Sequence, residues 1–209
     1  MNKLEKRAID LSYKHKLTHL SSCLTSVNII DKIYQVKKPD EPFILSNGHA
    51  ALALYVVLEE KEGKNAEGLY LKHGTHPNRN MEDGIWCTTG SLGMGISVAV
   101  GMAIANPRRN VYVLMSDGEC AEGVVWESLA IAEKLRVENL RITVVANGYG
   151  AYGKIDVDQL DTRLMAFYPT LCMRVNVFGL PEWIQGIDGH YVKLDEGKYK
   201  EIGGENAKA

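Results

Sequence analysis

Two side chains with oxygen donors, Asp117 and Asn147, each stand directly before a glycine and are 30 residues apart. A carboxylate and a carboxamide oxygen suit a hard cation such as Mg²⁺, which takes its other ligands from water and phosphate. The helix predicted from Glu122 would direct its positive N-terminal end toward the same place. The pair therefore predicts a site for a metal ion and a diphosphate. Alone, Asp-Gly or Asn-Gly is usually an ordinary turn, so the prediction depends on the two occurring together.

The residues around this pair predict one strand–helix–strand unit. Continuous apolar runs at 111–115 and 142–146 are typical of buried parallel strands, and a helix is predicted over 122–135 between them. The connection between the strands is expected to be right-handed. Parallel strands end at the same edge of a sheet, so both side chains should lie at the edge where doubly wound sheets bind ligands.

The remaining residues also predict an α/β protein. The segment 73–90 is too rich in Gly, His, Pro and Asn to form a regular element, and long loops of this kind tend to be functional. Residues 1–194 are predicted to form one domain and residues 195–209 a polar, frayed C-terminal tail. Further helices are predicted over 3–17, 22–36, 49–61, 92–105 and 158–167, and further strands over 43–45, 171–178 and 184–187.

Composition and charge exclude other classes of protein. The 209 residues are 45% apolar and 24% charged, as in ordinary globular domains, and the net charge of −2 argues against a nucleic-acid partner. No apolar run reaches the roughly 18–20 residues of a membrane span, and the N-terminus lacks a signal-peptide core. Four scattered cysteines without metal-binding spacing predict free thiols in a reducing cytoplasm: Cys23, Cys87, Cys120 and Cys172.

Several segments together resemble the transketolase family. Ser116-Asp117-Gly118, followed by Asn147, resembles the thiamine diphosphate motif of that family. Other segments agree with it in order and spacing, namely the His-containing turn 45–50, the Gly-His-Pro-like loop 75–77, the glycine-rich segment 88–96, the glutamate-bearing segment 118–123, and Thr18-His19-Leu20 in place of a first Gly-His-Pro. The resemblance implies a three-layer, doubly wound α/β fold, with helices on both faces of a mostly parallel sheet, of the diphosphate-binding (PP) type.

The resemblance implies a metal site and a diphosphate site. Mg²⁺, or Ca²⁺ or Mn²⁺ in its place, would be held by the side chains of Asp117 and Asn147 and the main-chain carbonyl of Tyr149. The ion would bridge to the diphosphate of thiamine diphosphate, which would also meet the backbone of Gly118. These roles follow from the matched motif positions.

The resemblance also implies residues for the reacting end of the cofactor. Gly90 and Leu92 would surround the aminopyrimidine ring, and Glu122 would join a network of glutamates between active sites. Three histidines would line the channel to the thiazolium and move protons, and His49 would also contact the cofactor: His19, His49 and His76.

Simpler interpretations exist for some of these residues. A lone histidine after a turn is more often a surface or capping residue, and His15, His73 and His190 are assigned to that class. The glycines of segment 90–95 have the wrong spacing for a dinucleotide-binding fingerprint, and no clear strand precedes them. Glu122 could equally be a favourable carboxylate in the first turn of its helix.

The chain departs from the family pattern in four ways. No pyrimidine-binding domain follows residue 190, so the chain alone is expected to be inactive. The histidine that usually follows Asp188-Gly189-His190 and reaches the diphosphate has no counterpart. Ser116 and Gly148 replace a usual Gly and Asn, and Thr18-His19-Leu20 lacks the usual Gly and Pro.

The sequence therefore predicts the diphosphate-binding subunit of a split, transketolase-like transferase. A second subunit with the pyrimidine-binding and C-terminal domains would complete an α2β2 assembly, and sugars or sugar phosphates would be the substrates. The reaction would transfer a two-carbon ketol unit from a ketose to an aldose. Two alternatives stay open: a subunit of another thiamine enzyme, either deoxyxylulose phosphate synthase-like or decarboxylating, and a non-catalytic, degenerate subunit.

Overall fold

The structure is a computed structural model and describes residues 1–150, 152–168, 172–175 and 180–203. Its central sheet has four strands: β1 (Phe43–Leu45), β2 (Val111–Ser116), β3 (Leu140–Ala146) and β6 (Cys172–Val175). They pair in the order β1-β2-β3-β6, and every neighbouring pair is parallel. A small antiparallel hairpin, β4 (Tyr149–Gly150) with β5 (Gly153–Lys154), follows β3. The predicted strand over 171–178 is present at 172–175, and its other positions lie outside the described residues.

Helices cover both faces of the sheet and make three layers. Phe43, Leu45 and Leu114 contribute to the core that contains α1 to α4. Val113 and Met115 contribute to the opposite core, under α5 to α7. The alternation follows from the two-residue repeat of a strand, so the predicted doubly wound α/β class is confirmed. The helices are α1 (Lys3–His15), α2 (Leu20–Val36), α3 (Ala51–Glu62), α4 (Ala66–His73), α5 (Met94–Ala105), α6 (Gly123–Lys134), α7 (Val157–Phe167), α8 (Gly186–His190) and α9 (Glu196–Glu201).

Local sequence explains where helices α1 and α5 begin. Helix α1 starts at a capping box, in which the Asn2 side chain accepts from Glu5 N–H and Glu5 accepts from Asn2 N–H. Helix α5 starts at Met94, two residues later than predicted, because Gly93 has a left-handed φ of +79°. The residues before Gly93 are thereby left in the loop that faces the strand ends.

One predicted strand is wrong. The sequence predicts extended chain over 184–187, but Glu182–Ile184 form a 3₁₀ turn and Gly186 opens helix α8. Gly186 has φ +72°, a conformation that interrupts a strand and that glycine adopts without strain. The apolar residues of this segment therefore serve a turn that packs on the core and not a fifth parallel strand.

Part of the predicted polar tail is folded. Residues Glu196–Glu201 form α9, capped by the Asp195 side chain, which accepts from Lys198 N–H at 2.8 Å. Tyr199 is buried, stacks on Tyr13 with ring centroids 4.1 Å apart, and donates to Asp10 at 2.7 Å. One aromatic residue thus anchors an otherwise charged segment on α1. Residues 204–209 of the predicted tail lie outside the described residues, and the domain boundary at 194 stays a prediction.

The other predicted helices and the strand over 43–45 are present with ends shifted by up to two residues, and 73–90 is an irregular loop with one bridge between Asn80 and Ile85. In the described part of the chain, no helix has both the length and the apolar character needed to cross a bilayer.

Candidate functional site

Asp117 connects the ends of two parallel strands. It follows β2 directly and is only 2% exposed. Its Oδ2 accepts from the main-chain N–H groups of Asn147 (3.0 Å) and Gly148 (2.8 Å), which follow β3, and its Oδ1 accepts from Gly118 N–H (2.9 Å). The ends of β2 and β3 therefore lie together as expected, because the Asp117 carboxylate after β2 accepts hydrogen bonds from the residues that follow β3.

The loop after β3 brings two more oxygen atoms to the same place. Asn147 Oδ1 accepts from Tyr149 N–H at 3.0 Å. A Cβ atom on Gly118 would lie 3.3 Å from Gly150 Cα and 3.7 Å from the Tyr149 carbonyl oxygen. Glycine at position 118 thus allows the start of the hairpin to approach the end of β2 closely.

The donor set fits the divalent cation that the sequence predicts. A carboxylate, a carboxamide oxygen and a main-chain carbonyl are all hard oxygen donors, which Mg²⁺ prefers. Burial raises the pKa of Asp117 from 3.8 to about 6, although the main-chain N–H donors of Gly148, Gly118 and Asn147 oppose this shift. A cation bound beside the carboxylate would offset the cost of burying its charge.

Glu119 is a buried carboxylate that sequence reasoning missed. It is fully buried, and its Oε1 accepts from Ser46 Oγ (2.6 Å) and Gly93 N–H (2.9 Å). Its Oε2 accepts from Ser116 N–H (2.8 Å). Burial raises the pKa of Glu119, and these donors oppose the rise. The side chain therefore ties together the end of β1, the residue before α5 and the end of β2. Its position beside Asp117 and Gly118 was the only signal in the sequence.

Glycines permit the close packing of these loops. A Cβ on Gly95 would lie 2.6 Å from Ser46 Cα, and one on Gly48 would lie 2.7 Å from Thr89 Oγ1. Such distances are too short for a side chain. Helix α5 can therefore approach the turn after β1 only with glycine at position 95, and that turn can approach the loop that bears Thr89 only with glycine at position 48.

Three histidines from distant parts of the chain meet in the cavity that Asp117 and Asn147 also line. The ring centroids of His19 and His49 are 5.4 Å apart, and those of His49 and His190 are 5.1 Å apart. His19 Nδ1 lies 2.7 Å from His190 Nε2. Burial lowers the pKa of His19 to about 4 and that of His49 to about 3, with further lowering by neighbouring histidines, and burial also lowers the pKa of His190. All three rings are therefore neutral at neutral pH. The assignment of His190 to the surface or capping class is wrong.

The loop that carries His76 and Gly90 lines the same cavity. Gly90 has φ +150°, and a Cβ on it would lie 3.2 Å from His76 Cβ. Thr89 N–H donates to the Pro77 carbonyl at 3.1 Å, so the two ends of this loop are held side by side. His76 is exposed at this position and Leu92 is half-buried.

One cavity of about 380 Å³ brings these groups together. Its lining includes all the predicted metal, cofactor and histidine residues, namely Asp117, Asn147, Tyr149, Gly118, Gly90, Leu92, His19, His49 and His76. Glu122 is not among the described residues that line it; it precedes α6, half-buried, with no side-chain capping bond. The lining also includes residues that the sequence analysis did not select: Ser22, Ile184, Gln185, His190 and Tyr191.

Curated relatives are subunits or parts of transketolases. A subunit of the apulose-4-phosphate transketolase of Phocaeicola vulgatus is 34% identical over 158 residues, which cover 66% of this chain and 56% of that protein. The 6-deoxy-6-sulfo-D-fructose transketolase subunit SqwG of a Clostridium species is 33% identical over 160 residues, 70% of this chain and 54% of that protein. Human transketolase is 33% identical over 63% of this chain and 24% of its own length. The chain thus spans just over half of the two subunits and about a quarter of the human protein.

Solved transketolase structures share the fold. The transketolase of Leishmania mexicana matches with a TM-score of 0.66 and 26% identity over 78% of this chain and 30% of that chain. A transketolase variant from Pichia stipitis matches with a TM-score of 0.71 over 95% of this chain and 39% of that chain; at 22% identity this likeness concerns the fold alone.

The family described as "Transketolase, thiamine diphosphate binding domain" matches residues 34–169, well over half of the chain. The matched range contains β1, β2 and β3 and the loops that bear Asp117, Asn147 and two of the cavity histidines. This chain belongs to the transketolase thiamine diphosphate-binding domain family.

Proposed function

We propose that this chain is the diphosphate-binding subunit of a split transketolase-like enzyme that uses thiamine diphosphate and Mg²⁺. The observation that carries the proposal is the single cavity that Asp117 and Asn147 line together with the histidines His19, His49 and His76. Membership of the family supports the cofactor, and the oxygen donors support the metal.

In this proposal the strand-end loops hold the diphosphate. Asp117, Asn147 and the Tyr149 carbonyl would hold Mg²⁺, and the Gly118 backbone would face the phosphate oxygens. Gly90 and Leu92 would hold the other end of the cofactor. When bound, thiamine diphosphate supplies the electron sink needed to break a carbon–carbon bond next to a carbonyl.

The histidines would handle the hydroxyl groups of a sugar. His19, His49 and His76 are polar, and burial keeps the first two neutral, so each ring can donate at one nitrogen and accept at the other. Among the described residues that line the cavity, Asp117 is the only carboxylate, and none is a lysine or an arginine. The lining thus suits a polar, uncharged ketol unit, and a substrate phosphate would need a cation from elsewhere. The proposed reaction is transfer of that two-carbon unit from a ketose to an aldose.

A second polypeptide would complete the enzyme. Two of the relatives are named subunits of transketolases, and this chain spans just over half of each. We propose that the partner carries the pyrimidine-binding and C-terminal domains in an α2β2 assembly, and that Glu122 lies at an interface between active sites. The free thiols of Cys23, Cys87 and Cys120 support a reducing, cytoplasmic compartment.

The test uses the complex of this chain with its pyrimidine-binding partner. Thiamine diphosphate and Mg²⁺ affinities are measured by calorimetry, and two-carbon transfer from a ketose to an aldose is followed by mass spectrometry. Asp117→Asn removes the charged metal ligand, so cofactor affinity should fall by roughly 100-fold or more. Asp195→Asn, at the cap of α9, is the matched control and should bind as wild type does.

Each alternative gives a different result in this experiment. Equal cofactor affinity in D117N and D195N would overturn the metal assignment. Decarboxylation of a keto acid donor without transfer between sugars would favour another thiamine enzyme. Absence of Mg²⁺-dependent cofactor binding in the wild-type complex would favour a non-catalytic subunit.

A further inference from the structure

His19 and His190 are joined by two hydrogen bonds, although 171 residues separate them. The His19 main-chain N–H donates to the His190 carbonyl at 2.8 Å, and His19 Nδ1 lies 2.7 Å from His190 Nε2. His19 has a left-handed φ of +64° just before α2. Such a backbone is uncommon for a residue other than glycine, and here the bonds to His190 support it.

The placement of His190 depends on the glycine before it. A Cβ on Gly189 would lie 2.3 Å from the Ile184 carbonyl carbon and 2.4 Å from its oxygen. Only glycine therefore lets α8 pack this closely on the preceding 3₁₀ turn. Ile184 is buried in the core that contains α1 to α4, so the turn gives His190 a rigid base beside His19.

The short contact between the rings requires one proton between two nitrogens. Either His190 Nε2–H donates to His19 Nδ1, or His19 Nδ1–H donates to His190 Nε2. Ser22 Oγ lies 3.4 Å from the other ring nitrogen, His190 Nδ1, at the long end of hydrogen bonding, and it can donate or accept. The state of His190 therefore decides whether the free nitrogen of His19, Nε2, acts as donor or acceptor.

The surroundings keep the pair neutral. The titratable groups that face it are His49 from the turn after β1, His76 from the loop after α4 and Tyr191 beside His190, and Asp117 lines the same cavity. Burial and the neighbouring histidines lower the pKa of His19 to about 4, and burial lowers that of His190. The rings exchange donor and acceptor roles without a net charge only when three further protons move together with the shared one. As the shared proton passes from His190 Nε2 to His19 Nδ1, His19 Nε2 gives its proton to a basic oxygen in the cavity and His190 Nδ1 takes the Ser22 hydroxyl proton. Ser22, which also lines the cavity, then takes a proton from water or a substrate hydroxyl there.

We infer that His190 is a positioning residue that sets the tautomer of His19 and forms with Ser22 a neutral proton relay to the cavity. The relay presents His19 Nε2 as a donor or an acceptor to a sugar hydroxyl, and this consequence rests on the proposed function. The structural part of the inference, that the two rings hold complementary tautomers, does not depend on the proposed function.

Long-range ¹H–¹⁵N spectra of the histidine rings of the full chain test the coupling directly. In the wild type, one of the two facing nitrogens should be protonated and the other not, and both rings should stay neutral at neutral pH. Two protonated or two unprotonated facing nitrogens would overturn the inference without any variant. Single-histidine substitutions assign the signals.

Two variants of His190 separate its hydrogen bond from its bulk. His190→Gln places an amide where Nε2 lies, whereas His190→Ala removes the partner of His19. The His19 ring signals should resemble those of the wild type in H190Q and change in H190A. The control is His15→Gln, since His15 bonds Glu67 outside the cavity; it should leave the His19 signals unchanged. His19 signals in H190A identical to those of the wild type would contradict the coupling.

Activity of the complex with the partner supplies the functional measurement. In H190A, kcat for two-carbon transfer should fall roughly 10- to 100-fold with KM little changed. H190Q should restore the His19 ring signals but not kcat, because an amide can fix a tautomer and cannot pass a proton on. Equal kcat values in H190A and the wild type would overturn the relay. If the ring spectra show the coupling but the wild-type complex binds no thiamine diphosphate, the proposed function fails while the histidine pair stands.

Discussion

The histidine cluster should make the protein sensitive to mild acid. Burial, together with His190, His19 and His76, lowers the pKa of His49 from 6.5 to about 3. In the unfolded chain this ring takes up a proton below about pH 6.5, whereas in the folded chain it stays neutral down to about pH 3. Unfolding therefore takes up a proton within this window, so the free energy of unfolding falls as the pH falls.

The magnitude follows from the size of the shift. At about pH 4.5 the unfolded ring is almost fully protonated and the folded ring is not, which lowers the free energy of unfolding by about 2–3 kcal/mol. That is a large part of the roughly 5–15 kcal/mol by which single domains are stable. His19, whose pKa is lowered to about 4, acts in the same direction. Replacing His49 alone should therefore remove part of the acid sensitivity.

Urea unfolding of the wild type and His49→Gln at about pH 7 and about pH 4.5 measures this effect. The loss of stability between the two conditions should be about 2 kcal/mol smaller in H49Q than in the wild type. Gln185→Ala is the matched control, because Gln185 lines the same cavity, is exposed to water and has no titratable group; its loss of stability on acidification should equal that of the wild type. If the wild type and H49Q lose the same stability on acidification, the buried neutral state of His49 is refuted.

Three further substitutions test the support of the site and the edge of the fold. Glu119→Gln replaces one buried acceptor by a donor, so the free energy of unfolding should fall by about 1–3 kcal/mol in urea titrations, and no loss would refute its role as a tie between loops. Gly95→Ala forces a Cβ against Ser46 Cα and should lower the thermal midpoint, whereas Gly101→Ala, in the same helix with no atom within 4 Å, should raise it slightly; equal effects would contradict the close packing. Tyr199→Ala should destabilise the protein by about 3 kcal/mol and expose α9 to limited proteolysis, and resistance equal to the wild type would show that α9 is held by other contacts.

The juxtaposition of Asp117 and Asn147 could be predicted because its geometry is local. Asp117 and Asn147 follow two buried strands joined by one helix, and parallel pairing brings the ends of such strands together whatever the rest of the fold does. The resemblance to a known family added Gly90, Leu92, His49 and the other positions that now line one cavity. Their roles stay predictions, although their proximity is a structural fact.

The missed residues act through contacts that no local pattern encodes. His190 follows Asp-Gly, which reads as a turn, and its partner lies near the other end of the chain. Glu119 lies in a segment where two carboxylates were visible, but only the packed loops show that it is the fully buried one. The strand expected at 184–187 is wrong because Gly186 takes a left-handed conformation. Helix α9 was missed because Tyr199 is its one large apolar residue, with Ile202 directly after its end.

The two sides of the cavity differ in how the chain builds them. Asp117 bonds to Asn147 within one crossover, whereas His19 meets His190 only after the segment 180–190 has docked on the start of α2. His19 and His190 are 171 residues apart, whereas Asp117 and Asn147 are 30 apart, so the first contact has the larger cost in chain entropy. Transient detachment of α8 would therefore separate His190 from His19 and leave the bonds of Asp117 to Asn147 and Gly148 in place. Amide protons around His190 should then exchange faster than those at the end of β3. Ligand capture through such partial opening would need no rearrangement of the sheet.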